Sequence, residues 1–234
     1  MKQKIAIVTG ASRGLGLELS RVLQGSGYRV LGLARSHPES DGFFGELRRC
    51  DLASPASVDD AIKYIEDRHS HIDLLVHNAA IQTHFDILEE THYPEILARE
   101  HQVNFLTPVK MTASLLPLLL KEGGRIVIVT SLLQYGSKKC APGYSSSKAA
   151  LASWTNNLRA QLKNTSVSVT EVVPGLIKTS MTENAAKKGI EPGVLAGQVL
   201  ENLERDRIVL PGAKLPALFQ RCFPTLFQKV TLKD

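Results

Sequence analysis

Runs of nearly unbroken apolar residues alternate along this chain with stretches whose apolar positions recur every three or four residues. The first run is IAIVT at 5–9, and others lie at 28–34, 72–76, 125–130 (RIVIVT) and 167–173. A strand that is apolar on both faces has to be covered on both, which is the habit of parallel sheets. A shorter strand with alternating character is expected at 44–50, and a last one at 207–210. Between the strands, Leu15, Leu19, Val22 and Leu23 share one helical face that Gly25 and Gly27 close. Val58, Ala61, Ile62 and Ile65 share another, opened by Ser54 and Pro55 with Asp59 and Asp60 near its start. Residues 94–120 carry one or more helices on a broken pattern (Ile96, Val103, Val109, Leu115, Leu116, Leu119), and 144–162 and 192–203 carry further helices.

Strand and helix in strict alternation predict an α/β protein. The expected form is the doubly wound (Rossmann) three-layer α/β/α sandwich, with a mostly parallel sheet of about seven strands and right-handed crossovers. Its ligand crevice lies at the carboxyl ends of the strands. Residues 1–234 read as a single dinucleotide-binding domain. Residues 175–190 hold no evident strand and follow a strand's carboxyl end, so a substrate loop is placed at about 176–192. The tail at about 211–234 alternates Leu215, Leu218, Phe219, Phe223, Leu226 and Phe227 with Lys214, Arg221, Lys229 and Lys233. Packing on the sheet edge or on a partner subunit is the first expectation for it, and peripheral contact with a lipid surface the second.

Composition narrows the functional classes. The 234 residues are 43% hydrophobic and 22% charged, enough for one large core. No uniformly apolar run approaches the roughly 18 residues of a membrane span, and the first strand starts too early for a leader to precede it. Cys50, Cys140 and Cys222 are too scattered for a disulfide framework, so a reducing, cytoplasmic setting is expected. Metal-ligand spacing is absent, and no metal is expected. The net charge of +5 is not gathered into a basic arm, which suits a phosphorylated cofactor better than a nucleic acid.

The chemistry concentrates at three places. Strand 5–9 runs into Gly10, Gly14 and Gly16 before a helix begins, an order that lets a pyrophosphate approach backbone N–H groups at a helix start. The spacing GxxxGxG meets the commoner GxGxxG fingerprint only loosely. Strand 28–34 ends at Arg35, where a carboxylate would receive a free ribose hydroxyl and a cation would receive a 2′-phosphate. With Arg13 in the glycine turn, Arg35 favours NADP(H) over NAD(H). Tyr144 and Lys148 stand four apart on one helical face, where an ammonium lowers a phenol's pKa from about 10 toward working pH. Ser131 follows the strand at 125–130, placed to hydrogen-bond a substrate oxygen.

Taken together and in order, these elements resemble the classical short-chain dehydrogenase/reductase family over the whole chain. TGASRGLG (9–16) matches that family's TGxxxGxG, Asp51-Leu52 its adenine-side aspartate, and Asn78-Ala79-Ala80 its Asn-Ala-Gly element. Asn104 matches its active-site asparagine, Ser131, Tyr144 and Lys148 its serine and YxxxK, and Pro174-Gly175 with Thr179 its PGxxxT segment. The resemblance implies Tyr144 as general acid or base and Ser131 as the group that steadies the reacting oxygen. It gives Lys148 the tuning of the phenol and the hold on the nicotinamide ribose, and Asn104 a helix distortion that anchors a relay water. Cofactor contacts are implied for Gly10, Ser12, Arg13, Gly14, Leu15, Gly16, Arg35, Asp51, Leu52, Asn78, Ala79, Ala80, Tyr144, Lys148, Pro174, Gly175, Ile177 and Thr179. The implied reaction is reversible reduction of a ketone or aldehyde by NADPH.

Two departures from the family pattern stand out. Ala80 adds a methyl where the family has glycine. RIVLPG at 207–212 leads into the apolar-basic tail in place of a glycine-rich ending, which puts the C-terminal route to a tetramer in question. A homodimer through the helices around 94–120 and 144–162 is expected. Leu176, Met181, Ala185, Ala186 and Ile190 around Lys178, Lys187 and Lys188, with Leu132, Leu133 and Gln134, suit a partly apolar carbonyl substrate. The alternative from another class is an inactive dinucleotide-binding scaffold or regulator. A scaffold, however, needs no phenol and ammonium one turn apart. Epimerisation or dehydration through the same tyrosine stays open.

Overall fold

The computed structural model describes residues 2–36, 45–178 and 189–231. One seven-stranded sheet runs in the order β3-β2-β1-β4-β5-β6-β7. Its strands are β1 (Lys4–Thr9), β2 (Tyr28–Ala34), β3 (Glu46–Arg49), β4 (Leu74–His77), β5 (Arg125–Val129), β6 (Ser168–Val173) and β7 (Arg207–Val209). Every neighbouring pair is parallel. The chain winds outward from β1 to β2 and β3, then returns to lay β4 on the other side of β1. At that reversal the connections leave in opposite directions and open a crevice above the carboxyl ends of β1 and β4.

The apolar strands sort their side chains alternately onto two helical layers. Ile5 and Ile7 face a core with Val58, Ile62 and Ile65 of α2 (Pro55–Arg68), Met111 and Leu115 of α4 (Thr107–Leu120), and Leu151 and Leu158 of α5 (Pro142–Leu162). Ala6 and Val8 point the other way, onto Leu15, Leu19 and Leu23 of α1 (Gly14–Gly25) and Leu195 and Val199 of α6 (Pro192–Glu201). This two-sided burial is why the strands carry almost no polar side chains. Three layers result, as the alternation predicts.

Several boundaries differ from expectation for local reasons. The strand expected at 44–50 is limited to Glu46–Arg49, because this edge strand pairs only with β2; residue 44 lies outside the described residues. The helix expected from 144 starts at Pro142, whose fixed φ and missing N–H suit a first helical turn. Residues 93–120 form one continuous helix, α3 (Tyr93–His101) passing into α4 through a wider turn at Gln102–Leu106. The extra residue in that turn shifts the helical phase, which is why the apolar pattern is broken there. This helix is long and apolar enough to span a membrane by length and composition, yet Met111, Leu115 and Leu119 are 0% exposed against the sheet.

The substrate loop expected to lack strand structure makes one parallel bridge, Ile177 with Ile190, closed by Lys178 N–H to Ile190 O at 3.0 Å. Its intervening residues, including Thr179, Met181, Ala185, Ala186, Lys187 and Lys188, lie outside the described residues. The tail forms α7 (Lys214–Cys222) and α8 (Pro224–Thr231), which pack on each other. Phe219 meets Phe223 and Phe227 at centroid distances of 5.6 and 6.3 Å, while Leu215 stays 79% exposed.

Candidate functional site

The crevice at the strand reversal is a cleft of about 930 Å³. Its floor is built first by Thr9, the last residue of β1. The Thr9 hydroxyl accepts from the backbone N–H groups of Asn78 (3.0 Å) and Ala79 (3.1 Å) and donates to Val76 O at 3.2 Å. The Asn78 side chain returns a hydrogen bond to Thr9 O at 3.0 Å. These bonds fasten the ends of β1 and β4 together just where the glycine turn departs.

In that turn Gly10 (φ 69°) and Gly14 (φ 55°) occupy backbone conformations that L side chains rarely adopt. Gly16 is required for a different reason: a Cβ there would collide with the Gly10 carbonyl and the Asn78 amide. Gly16→Ala is therefore expected to cost roughly 1–3 kcal/mol of stability by overpacking and to weaken dinucleotide binding at least about tenfold. Gly25→Ala is its control. A Cβ at Gly25 meets nothing within 4 Å, and helix propensity favours alanine by about 1 kcal/mol. Urea unfolding and cofactor titration of both variants check the pair; equal behaviour would overturn the steric reading of Gly16.

The cleft runs from this turn across the sheet. Gly10, Ser12, Arg13, Gly14 and Leu15 line one part, and Arg35 lines the part beyond β2. Asp51 and Leu52 line the wall that follows β3, where Asp51 Oδ1 accepts from Ala53 N–H at 3.1 Å and Leu52 O from the Thr107 hydroxyl at 2.8 Å. Asn78, Ala79 and Ala80 form the middle, and Pro174, Gly175 and Ile177 the far rim. A Cβ on Gly175 would run into the backbone at Gly212, so that rim is held tightly against the segment after β7.

Ser131, Tyr144 and Lys148 line the same cleft. Ser131 opens a short helical turn after β5, and its Oγ accepts from Leu133 N–H at 3.2 Å. Lys148 is 1% exposed, donates from Nζ to Val129 O at 2.8 Å and stands 5.8 Å from the Tyr144 ring centroid. Burial lowers the Lys148 ammonium to about 7. Tyr144 departs from expectation. Burial pushes its phenol above the ordinary value, its hydrogen bond with Ser131 pulls down, and the Glu100 carboxylate pushes up. The lowering expected from Lys148 is not what this arrangement produces, because desolvation drives lysine and phenol alike toward their neutral forms.

Asn104 does not line the cleft. It sits in the wide turn between α3 and α4, 0% exposed, with Oδ1 accepting from Ile81 N–H (2.8 Å) and Nδ2 donating to Ile81 O (2.9 Å) and Ser147 Oγ (3.0 Å). Its amide clamps the segment after β4 to the helix that carries Tyr144. Gly16 likewise lies beneath the lining, and Thr179 lies outside the described residues.

Three contributors had no motif to announce them. Glu100 is 0% exposed, accepts from Thr83 N–H, and sets its other carboxylate oxygen so close to Gly143 that a Cβ there would collide with it. Burial raises its pKa, and the Thr83 hydrogen bonds oppose this. Ser147, inside the YSSSK run, holds Asn104. Glu171 of β6 accepts from the Thr130 hydroxyl at 2.9 Å and pairs with Arg207 at 3.1 Å, fixing the strand end before Ser131.

The family model for short chain dehydrogenases matches residues 4–189. The chain belongs to the short-chain dehydrogenase family. The uncharacterized oxidoreductase DltE of Bacillus subtilis is 31% identical over 194 residues, covering 80% of this chain and 77% of that protein. Dehydrogenase/reductase SDR family member 7B of Bos taurus is 28% identical over 201 residues, covering 79% of this chain but only 61% of that longer protein. Among solved structures, a short chain dehydrogenase from Burkholderia cenocepacia in complex with NADP is similar over 100% of this chain and 99% of that one. Its TM-score is 0.87 and its identity 29%.

Proposed function

We propose that this short-chain dehydrogenase reduces a ketone or aldehyde to an alcohol with NADPH, reversibly, with Tyr144 as the general acid and base. The observation that carries the reading is the convergence of Ser131, Tyr144 and Lys148 in the cleft that also contains the glycine turn and Arg35. The cleft fits a dinucleotide. Its turn offers the first-turn N–H groups of α1 to a pyrophosphate, and Arg13 and Arg35 supply cations beside the strand ends where a 2′-phosphate belongs. The NADP held by the Burkholderia relative supports this choice. Gly10, Ser12, Arg13, Gly14 and Leu15 would hold the pyrophosphate side, Asp51 and Leu52 the adenine, and Asn78, Ala79, Ala80, Lys148, Pro174, Gly175 and Ile177 the nicotinamide side. When bound, the cofactor supplies hydride to the carbonyl carbon.

The chain's own residues handle the oxygen and the proton. Ser131 Oγ orients the carbonyl oxygen and the Tyr144 hydroxyl delivers a proton to it, both acting where negative charge develops. Lys148 steadies the phenol's end of the site, and Asn104 and Glu100 position the two segments that flank it. The same reading carries a homodimer formed through the α3–α4 helix and α5. It places the protein in the cytoplasm, which the free thiols of Cys50, Cys140 and Cys222 suit.

The test of the reductase reading is NADPH consumption across a panel of ketones and aldehydes, with no consumption by any of them counting against it. Cofactor choice has its own test. Arg35 is exposed, so its contact with a 2′-phosphate is discounted to about 1.4 kcal/mol, a factor of ten. Arg35→Ala is expected to weaken NADPH about tenfold and leave NADH nearly unchanged, read as dissociation constants at one ionic strength. Equal losses for both cofactors would remove Arg35 from the discrimination.

A further inference from the structure

Two cations of the cleft lie away from the strand ends where the phosphates of a dinucleotide belong. Arg13 and Arg35 follow β1 and β2. Arg99 of α3, exposed in the empty cleft, and Lys138 in the β5–α5 loop, half-buried, line it on the side of Tyr144: Lys138 N–H donates to Ser145 Oγ at 3.1 Å, and Glu100, next to Arg99, lies against Gly143; Leu132 and Leu133 line the same cleft. Neither Arg99 nor Lys138 is ion-paired among the described residues. The one carboxylate among the described lining residues is Asp51, which follows β3 at the opposite sheet edge. Glu100, next to Arg99 in sequence, is wholly buried with its oxygens turned to Thr83 and Gly143, so it does not serve as the counter-charge. Lys148 is committed to Val129 O.

A neutral substrate closing over Arg99 and Lys138 would strip water from two cations and return nothing. A carboxylate or phosphate would convert the same desolvation into charge-assisted hydrogen bonds, for which the arginine fork is well shaped. Resting on the carbonyl-reductase reading above, we propose that the substrate is an anionic carbonyl compound. Its carbonyl sits at Ser131 and Tyr144, its apolar body lies against Leu132 and Leu133, and its carboxylate or phosphate is received by Arg99 and Lys138.

Three aryl methyl ketones that differ only in the para group test this: 4-acetylbenzoate, 4-acetylphenyl phosphate and the neutral methyl 4-acetylbenzoate. Their kcat/KM is measured with NADPH, and their binding to the protein with saturating NADP+ is measured by calorimetry. At least one anion is expected to exceed the ester by tenfold or more, through KM and binding, and the advantage should shrink in 0.5 M salt. Which anion leads separates a carboxylate from a phosphate substrate. In the double variant Arg99→Gln/Lys138→Gln the ratio of anion to ester is expected to fall to near one while NADPH affinity holds. An ester bound as well as both anions, or a preference unchanged in the double variant, overturns the inference. Anion binding that disappears in the double variant without any ketone being reduced would uphold the anion site and count against the reductase reading.

Discussion

Tyr144→Phe is expected to leave NADPH affinity within about twofold and to lower kcat for carbonyl reduction roughly 10³-fold, the scale of a lost general acid. The phenylalanine ring still fills the space beside Lys148, so the loss falls on the transferable proton and not on the packing. Burial and the Glu100 charge hold the phenol above its ordinary pKa, so near neutrality it is protonated and ready to donate. Reduction should therefore fall in two steps, first as the Lys148 ammonium is lost near 7 and then in the alkaline range as the phenol ionises, whereas alcohol oxidation, which needs the phenolate, should climb over the second of these. Steady-state rates in both directions, carried from neutrality to beyond the ordinary phenol value of about 10, beside a cofactor titration of the variant, check the assignment. Turnover retained in the phenylalanine variant would remove Tyr144 from proton transfer.

What the sequence makes legible depends on whether local chemistry or long-range packing fixes the feature. The central strands are legible because a strand covered on both faces has no room for polar residues, and Ile5, Ile7, Ala6 and Val8 announce this directly. The glycine turn, Ser131, Tyr144 and Lys148 are legible because their residue types at their spacings serve one chemistry. Asn104 is legible as a motif residue but not as a clamp: its partners Ile81 and Ser147 lie 23 and 43 residues away. The broken helical pattern around Val103 is visible in the sequence, yet its cause, one wide turn, belongs to the backbone. Glu100 is the clearest omission. A glutamate on a helix ordinarily faces water, and only the packing of α3 against the glycine at the start of α5 buries this one beside the phenol. The phenol's raised pKa follows from the same burial, which no spacing of Tyr144 and Lys148 encodes.

Lys148→Met is expected to act in opposite directions on turnover and on stability. Turnover should fall at least about 10²-fold, since the ammonium beside the reacting phenol is lost. Stability of the cofactor-free protein should rise below neutrality. Burial sets the Lys148 proton affinity in the folded chain at about 7, while an unfolded lysine titrates near 10.4. The folded protein thus binds fewer protons than the unfolded chain between those values, and its stability climbs as pH rises through that window. The penalty of the buried charge is fully present below about 7 and fades toward 10.4. Methionine fills a similar volume without the charge. It gives up the hydrogen bond to Val129 O, about 1 kcal/mol, and removes a penalty of a few kcal/mol at 1.4 kcal/mol per tenfold in proton affinity. A net gain of roughly 2–3 kcal/mol is expected at pH 6, shrinking steadily by pH 9, read from urea unfolding of both proteins at each pH. A variant less stable than wild type at pH 6, or a difference independent of pH, would mean that Lys148 is not held against its charge. The retention of a destabilising lysine at this position then has its reason in the site, where an ammonium that is costly in the empty cleft finds the phenol and the ribose it is placed to serve.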